Sequence, residues 1–267
     1  MLIGLLISAG AGLLIGPIVN IAIDRLPPVG DGEDDRWIPT VRGRRRSQRV
    51  PDAAPDPIAL LFAPIIGVLA FKGQGRSRKG LSIRRPLVDL ALAGLFALSW
   101  AQFEGDWFRF IAVCVFATAI FALGVMDLET TYLPDLVTYP TALAALIVSP
   151  FWPQLDPWDG ASGAAAGLAV FFPFAWYGSR SGRDIMGWGD VKFGGMLGAV
   201  LGLQMVITGL YIGILAGGIA AVAVLLVRGR DRRPKVLPYG TFLALGGLAV
   251  LYFGREILDW AGDTLIT

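Results

Sequence analysis

Two aspartates, Asp127 and Asp190, stand where separate apolar stretches of this chain meet polar sequence, and they are its best candidates for chemistry. A carboxylate beside hydrocarbon is energetically costly, so a pair of them indicates a functional site. Two carboxyl groups held close together cannot both ionise easily: one keeps its proton while the other can take a proton from water. One aspartate could then act as general base on an attacking water while the other donates a hydrogen bond to a carbonyl oxygen, which is the chemistry of aspartic proteases. The sequence does not assign the two roles.

The residues around the two aspartates supply further candidates. Gly187 and Gly189 precede the second aspartate, where the lack of side chains gives the backbone freedom to turn and leaves room for a peptide. Asp135 is expected to shape the start of the helix after Pro134, although a substrate contact stays open. Lys192 is expected to pair with a carboxylate or with lipid head groups in a structural role. The full set of supporting or substrate-contact candidates is Gly187, Gly189, Lys192, Leu133, Pro134 and Asp135.

The composition indicates the kind of protein that holds these residues. Hydrophobic residues make up 55% of the chain and charged residues 16%, with a mean hydropathy of +0.62, which is too apolar for a soluble domain. The chain has no histidine, which excludes imidazole ligation of zinc and Ser-His-Asp catalysis. Its single cysteine, Cys114, excludes an intramolecular disulfide and a multi-cysteine metal site. We therefore predict an integral membrane protein in which any hydrolysis depends on carboxylates.

Apolar stretches of about 20 residues predict eight membrane crossings. The expected fold class is an all-α integral membrane protein, a polytopic bundle of about eight transmembrane helices with a long basic cytoplasmic first loop. The first crossing lacks a basic leading segment and is interpreted as a retained anchor rather than a cleaved signal peptide. The predicted crossings are 2–23, 86–103, 107–126, 135–152, 158–178, 189–203, 204–227 and 237–258, of which the fourth and sixth are short or polar at one end.

The distribution of basic residues predicts the orientation. Lys and Arg are concentrated at 24–85, 179–192 and 228–235, whereas 102–106 and 151–159 contain none. Because basic loops stay in the cytoplasm, the N-terminus is expected outside and every basic loop inside. This topology also predicts that both aspartates face the cytoplasm.

Three regions are expected along the chain. Residues 1–23 form the first transmembrane helix, 24–85 a cytoplasmic loop that is partly disordered by composition, and 86–267 a multi-helix catalytic membrane domain. Small residues recur at every fourth position in several crossings, which lets helices approach closely. These stripes are Gly4, Ser8, Gly12 and Gly16; Gly194, Gly198 and Gly202; and Gly209, Gly213 and Gly217.

Five segments follow one another in an order that carries a family resemblance. They are the end of the first crossing at 16–27, Ile-Arg-Arg-Pro-Leu-Val-Asp at 83–89, Asp127 with Leu-Pro-Asp at 133–135, Gly-Trp-Gly-Asp-Val-Lys-Phe at 187–193, and Leu-Pro-Tyr-Gly-Thr-Phe-Leu-Ala at 237–244. The series resembles that of the type IV prepilin leader peptidases, polytopic aspartic proteases that also process type II secretion pseudopilins. The last segment is similar to the family's Pro-Phe-Gly-Pro-Phe. The resemblance covers almost the full length of the chain.

The resemblance implies a function and a site. Asp127 and Asp190 match the family's catalytic aspartates, the second within a Gly-x-Gly-Asp element. The implied substrate is a type IV prepilin or pseudopilin precursor, a single hydrophobic helix with a basic leader, cleaved at the cytoplasmic face of the bacterial inner membrane. Proteolysis needs no cofactor, and S-adenosylmethionine is implied only if N-methylation of the mature N-terminus is retained. Membrane lipid is the other expected partner, and no nucleic acid is expected because no nucleic-acid module accompanies the basic run at 42–46.

The chain departs from the family pattern at two places. Many members carry two Cys-x-x-Cys pairs in the first cytoplasmic loop, understood as a zinc site, but residues 71–79 contain no cysteine. No zinc is therefore expected. Asp89 replaces the usual glutamate, which keeps the charge but shortens its reach. The divergent first loop leaves the methyltransferase activity open.

Other functions fit parts of the pattern. A presenilin-like intramembrane protease shares the Gly-x-Gly-Asp element, but it would have Tyr-Asp where this chain has Met126-Asp127, and a late Pro-Ala-Leu where this chain has 237–239. A proton-coupled transporter would distribute its acids through the membrane thickness, whereas the two key acids here are predicted on one side. A membrane scaffold would need neither aspartate.

Overall fold

The computed structural model describes residues 1–26, 84–152, 156, 158–182, 186–228 and 238–266, and within these ranges it is helical without strands. The helices are α1 (Leu2–Arg25), α2 (Arg84–Phe103), α3 (Trp107–Thr130), α4 (Asp135–Val148), α5 (Asp159–Ser181), α6 (Trp188–Leu201), α7 (Leu203–Arg228) and α8 (Tyr239–Ile266), with a 3-10 turn at Ser149–Phe151. The all-α prediction is confirmed. The predicted cytoplasmic loop lies outside the described residues over 27–83, including the stretch that lacks the zinc cysteines.

Several of these helices are long and apolar enough to cross a membrane, so the protein is a multi-pass membrane protein. In the described ranges five helices meet that criterion: α1, α2, α3, α7 over Leu203–Val224 and α8 over Tyr239–Trp260. The other predicted crossings coincide with α4, α5 and α6, but α4 and α6 have only 14 residues each. Each is shorter than the roughly 20 residues needed to span hydrocarbon without help from its flanks.

The chain divides into two compact units. Within the described ranges, residues 1–26 and 84–114 belong to the first unit and the residues from 115 onward to the second. The first unit therefore contains α1, α2 and the beginning of α3. The second contains the rest of α3 and all the later helices, and with them both aspartates.

In the first unit, glycines of α1 let α2 approach closely. A Cβ atom at Gly12 would lie 2.6 Å from the backbone oxygen of Leu92, and one at Gly16 would overlap the side chain of Asp89. The predicted stripe of small residues in α1 is therefore a helix contact, as expected for membrane helices.

Polar side chains join α1 and α2 at one end of this unit. Asp24 forms ion pairs with Arg84 at 2.6 Å and with Arg85 at 3.1 Å. The buried Asn20 donates a hydrogen bond from Nδ2 to Oδ1 of Asp89 at 2.9 Å. Asp89, the residue that departs from the family pattern, thus has a polar partner within the helix pair.

In the second unit, α5 and α6 touch backbone to backbone. A Cβ atom at Gly163 would overlap the carbonyl oxygen of Gly198, and one at Gly198 would overlap the carbonyl oxygen of Gly163. One turn away, a Cβ atom at Gly167 would overlap the carbonyl oxygen of Gly194. The predicted stripe in α6 therefore meets a matching pair of glycines in α5.

Gly202 ends α6 and separates it from α7. Its φ of 78° lies in the left-handed region, where glycine is favoured because it has no Cβ. The Asp159 carboxylate accepts a hydrogen bond from the backbone N–H of Leu203 at 3.0 Å, which satisfies a free donor at the start of α7. This break explains why the predicted crossing at 189–203 is a short helix.

The core of the second unit forms where α3, α6 and α8 meet. A Cβ atom at Gly247 of α8 would lie 2.6 Å from Leu197 of α6 and 3.7 Å from Ile120 of α3. The α7 helix packs on α8 in the same way, since a Cβ atom at Gly213 would lie 2.9 Å from the backbone oxygen of Phe242. The fully buried side chains of α3, α6 and α8 include Ile120, Leu123, Met126, Phe193 and Leu243.

Candidate active site

Asp127 lies in the last turn of α3 and is only 4% exposed. The predicted crossing ends at residue 126, but the helix continues to Thr130, so the aspartate is part of the helix rather than a residue beyond its end. Oδ2 of Asp127 accepts a hydrogen bond from the backbone N–H of Thr241 at 2.8 Å, and the Thr241 hydroxyl oxygen lies 3.3 Å from the same Oδ2. These contacts compensate for burying a carboxylate.

The partner of Asp127 is the N-terminus of α8. The first backbone N–H groups of a helix have no acceptor within the helix, and the helix dipole favours a negative charge there. Thr241 is the third residue of α8, and Gly240 is the second. A Cβ atom at Gly240 would lie 3.0 Å from Cγ of Asp127 and 3.1 Å from Oδ2, so glycine is what allows the carboxylate to approach so closely.

Asp190 lies in the first turn of α6, as the third residue after its N-cap, Gly187. The Asp190 side chain folds back toward its own N-cap, since a Cβ atom at Gly187 would lie 3.6 Å from Oδ2 of Asp190. Asp190 is half-buried, and its carboxyl group is close enough to that of Asp127 for the two charges to interact. The two aspartates singled out in the sequence are thus brought together by α3 and α6.

Leu133 forms apolar packing next to the aspartates. Its side chain is 7% exposed, and its Cδ1 lies 3.2 Å from the position of a Cβ atom at Gly240. A Cβ atom at Gly189 would lie 3.4 Å from Cβ of the same leucine. Leu133 therefore packs against the starts of both α6 and α8.

Asp135 and Lys192 form an ion pair between the N-terminal ends of α4 and α6. Nζ of Lys192 lies 2.7 Å from Oδ2 and 2.9 Å from Oδ1 of Asp135, and 5.3 Å from the ring centroid of Tyr139. The predicted pairing of Lys192 with a carboxylate is therefore present, and Pro134 is the N-cap of α4, as expected from its fixed φ. The Asp135 charge is already paired, which weakens the expectation that it contacts a substrate.

The start of α8 carries no predicted role from its sequence, although 237–244 is one of the five segments of the family resemblance. Gly240 and Thr241 surround the Asp127 carboxylate, and Tyr239 is close enough to Asp190 for electrostatic interaction. The signal that could have found them is a glycine in the first turn of an apolar helix, where free N–H groups attract an anion.

Fold and site together define a polytopic helical membrane protein with two aspartates close together in one unit. A family model described as "Type IV leader peptidase family" matches residues 114–222, which include both aspartates. The chain is 30% identical to a "Prepilin leader peptidase/N-methyltransferase" of Xanthomonas campestris pv. campestris, over 94% of this chain and 92% of the relative.

Two further relatives carry the same name. One, from Aeromonas salmonicida, is 29% identical over 95% of this chain and 92% of its own length. Another, from Pseudomonas aeruginosa, is 27% identical over 94% of this chain and 92% of its own length. No solved structure matches the chain. The chain belongs to the type IV leader peptidase family and is a membrane peptidase.

Proposed function

We propose that this protein is an aspartic-type endopeptidase of the bacterial cytoplasmic membrane that removes the basic leader from type IV prepilin-like or pseudopilin precursors. Asp127 and Asp190 are the catalytic pair. The observation that carries the proposal is the pairing of these two carboxyl groups, contributed by the end of α3 and the start of α6, beside the N-terminus of α8. The names of the relatives support the substrate class.

In this mechanism the two carboxyl groups share one proton between them. The ionised carboxylate takes a proton from water, whose oxygen attacks the carbonyl carbon of the scissile peptide bond. The protonated carboxyl group donates a hydrogen bond to the carbonyl oxygen as negative charge develops on it. The C–N bond then breaks, and the departing nitrogen receives a proton from the pair. The charges balance without a metal ligand or a nucleophilic side chain.

The substrate class and the orientation fit the charge pattern of the chain. Basic loops at 24–85, 179–192 and 228–235 favour a topology in which the N-terminus is outside and the aspartates face the cytoplasm. A precursor with a cytoplasmic basic leader and a single apolar helix would present its cleavage site at that surface. The apolar helix would lie in the bilayer beside the glycine-containing helices.

The test is processing of a co-expressed pilin-like precursor by membranes that contain wild type, Asp127→Asn or Asp190→Asn. We expect both substitutions to abolish the shift in precursor size, because an amide cannot take a proton from water. The matched control is Asp156→Asn, an exposed acid between α4 and α5, which should process like wild type. Undiminished processing by either asparagine variant, at normal enzyme abundance, would refute the catalytic assignment and return the transporter and scaffold alternatives to consideration.

N-methylation of the new N-terminus with S-adenosylmethionine stays a prediction. The names of the relatives include this activity. No residue of the described ranges is assigned to the methyl donor, and most of the divergent first loop lies outside those ranges. Mass spectrometry of the mature N-terminus, after processing with S-adenosylmethionine present, would detect the added methyl group or show that it is missing.

A further inference from the structure

The short segment 131–133, between α3 and Pro134, has unpaired backbone groups beside the two aspartates. The Thr131 N–H donates to the backbone oxygen of Asp127 at 2.8 Å, and the Pro134 oxygen accepts hydrogen bonds from α4. Among the residues that the structure describes, none forms a hydrogen bond with the backbone N–H or C=O groups of Tyr132 and Leu133. Nearly all buried backbone groups in folded proteins are paired, and Leu133 is only 7% exposed. These groups therefore indicate a partner from outside the chain, either water or a ligand.

The backbone of this segment leaves the helical conformation at Thr131 and becomes extended. Thr131 has a φ of 52°, in the left-handed region, which is rare for a β-branched residue. Pro134 follows with φ −69° and ψ 126°, and a residue that precedes proline is confined to extended conformations. Leu133 is therefore extended, like a residue of a β-strand. Holding Thr131 in its conformation costs free energy, and such strain is typical of functional sites.

The segment passes between the helix ends that position the two acids. Cβ of Leu133 lies 3.4 Å from the position of a Cβ atom at Gly189, the residue before Asp190. Its Cδ1 lies 3.2 Å from the position of a Cβ atom at Gly240, which itself would lie 3.0 Å from Cγ of Asp127. A peptide bond placed at the two carboxyl groups would therefore bring the residues on one side of it alongside this segment.

Building on the proposed function, we propose that residues 131–133 bind the precursor as an edge strand. The residues beside the scissile bond would lie extended and pair their backbone N–H and C=O groups with those of Tyr132 or Leu133. Main-chain hydrogen bonds of this kind give affinity when an extended peptide joins an unpaired edge. The apolar helix of the precursor does not fit this role, because the N–H and C=O groups of a helix are already paired. At about 3.3 Å per residue, the segment matches about three residues of the precursor.

N-methylation of a synthetic precursor tests this pairing from the substrate side. The precursor consists of a basic leader, the cleavage site and an apolar helix, and one N-methyl group is placed in turn on each residue near the cleavage site, except on the scissile nitrogen. Each methyl group removes one N–H and keeps the side chain. Successive N–H groups of an extended peptide point to opposite edges, so we expect kcat/KM to fall at least about threefold at alternate positions, the loss of one hydrogen bond. The positions between them should stay within about twofold.

The matching change in the enzyme replaces Tyr132 or Leu133 by its α-hydroxy acid during cell-free synthesis. This exchanges the backbone N–H for an oxygen atom and keeps the side chain. We expect one of the two variants to raise KM for the unmodified precursor at least about threefold. The thermal unfolding midpoint should stay at the wild-type value in both, because the lost N–H has no acceptor among the described residues.

Two results would overturn the inference: losses of equal size at neighbouring N-methylated positions, or an unchanged KM in both α-hydroxy variants. The partner of these backbone groups would then be water. Asp127→Asn, assayed in parallel with the unmodified precursor, distinguishes this failure from that of the proposed function. If the asparagine variant still cleaves, the proposed function itself is wrong.

Discussion

At the scale of single residues, the site depends on backbone N–H donors and on glycines as well as on the two acids. The Asp127 carboxylate takes its hydrogen bonds from the start of α8, and Gly240 gives it the space to do so. The Asp190 carboxyl group lies beside its own N-cap, with Oδ2 3.6 Å from the position of a Cβ atom at Gly187. Burying a carboxylate without such donors would cost several kcal/mol.

Gly240→Ala should impair cleavage. The new Cβ would lie 3.0 Å from Cγ of Asp127, so the carboxylate or the first turn of α8 must shift by a few tenths of an ångström. Small displacements of a reacting group are costly, and we expect cleavage to fall at least about tenfold. Precursor processing measures it, with Gly218→Ala as control, because a Cβ atom at Gly218 meets nothing within 4 Å. Equal processing by both variants would mean that the close approach is unimportant.

The Asp135–Lys192 pair should matter little for stability. The Lys192 side chain is 31% exposed and that of Asp135 is 51% exposed, so solvent screens their attraction. We expect Asp135→Asn to lower the free energy of unfolding by less than about 1 kcal/mol and to leave processing within a few-fold of wild type. A double-mutant cycle with Lys192→Met isolates the coupling. A coupling energy of several kcal/mol, or loss of processing in Asp135→Asn, would contradict this.

At the scale of elements, the position of Asp190 depends on how closely α6 packs against α5. The first turn of α6 carries the aspartate, and the glycines farther along the same helix set its distance from α5. Gly202 then ends the helix, and Asp159 at the start of α5 caps α7. Three consecutive helices are thereby fixed by residues that do no chemistry.

Gly198→Ala should destabilise the protein. Its Cβ would overlap the carbonyl oxygen of Gly163, and since that oxygen belongs to the backbone, the helices must separate. Overpacking of this kind typically costs about 1–3 kcal/mol. Thermal unfolding in detergent would show a lower midpoint than wild type. Gly94→Ala in α2 is the control, because it meets nothing within 4 Å and should unfold like wild type or slightly later. Similar midpoints for the two variants would argue against the close contact.

At the scale of the whole molecule, the sequence predicts the helices better than their contacts. Hydropathy finds all eight described helices because each contains an apolar run, and it predicts most of their bounds to within a few residues. It ends α3 too early, because Asp127 reads as polar although α8 compensates its charge. The hydrogen bond from Thr241 joins residues 114 positions apart, so no local pattern could reveal it.

The residues of the site also differ in how visible they are in the sequence: the two acids can be predicted from it, whereas the residues that contact Asp127 cannot. Asp127 and Asp190 stand out because charge is rare in apolar sequence. Gly240 and Thr241 do not stand out, because glycine and threonine are common in membrane helices and gain meaning only from the aspartate they contact. The short α4 and α6 were predicted as crossings for a related reason: hydropathy extends through Pro150 and Gly202, where the backbone changes direction.

The backbone contact between the glycines of α5 and α6 limits how these two helices can move. Side chains that pack against each other can relax by changing rotamers, but carbonyl oxygens set against α-carbons have no such freedom. The two helices should therefore move as one rigid body. A movement of α6 that brings the Asp190 backbone closer to Asp127, or draws it away, must carry α5 along, so a substrate that binds to either helix would change the distance between the two acids.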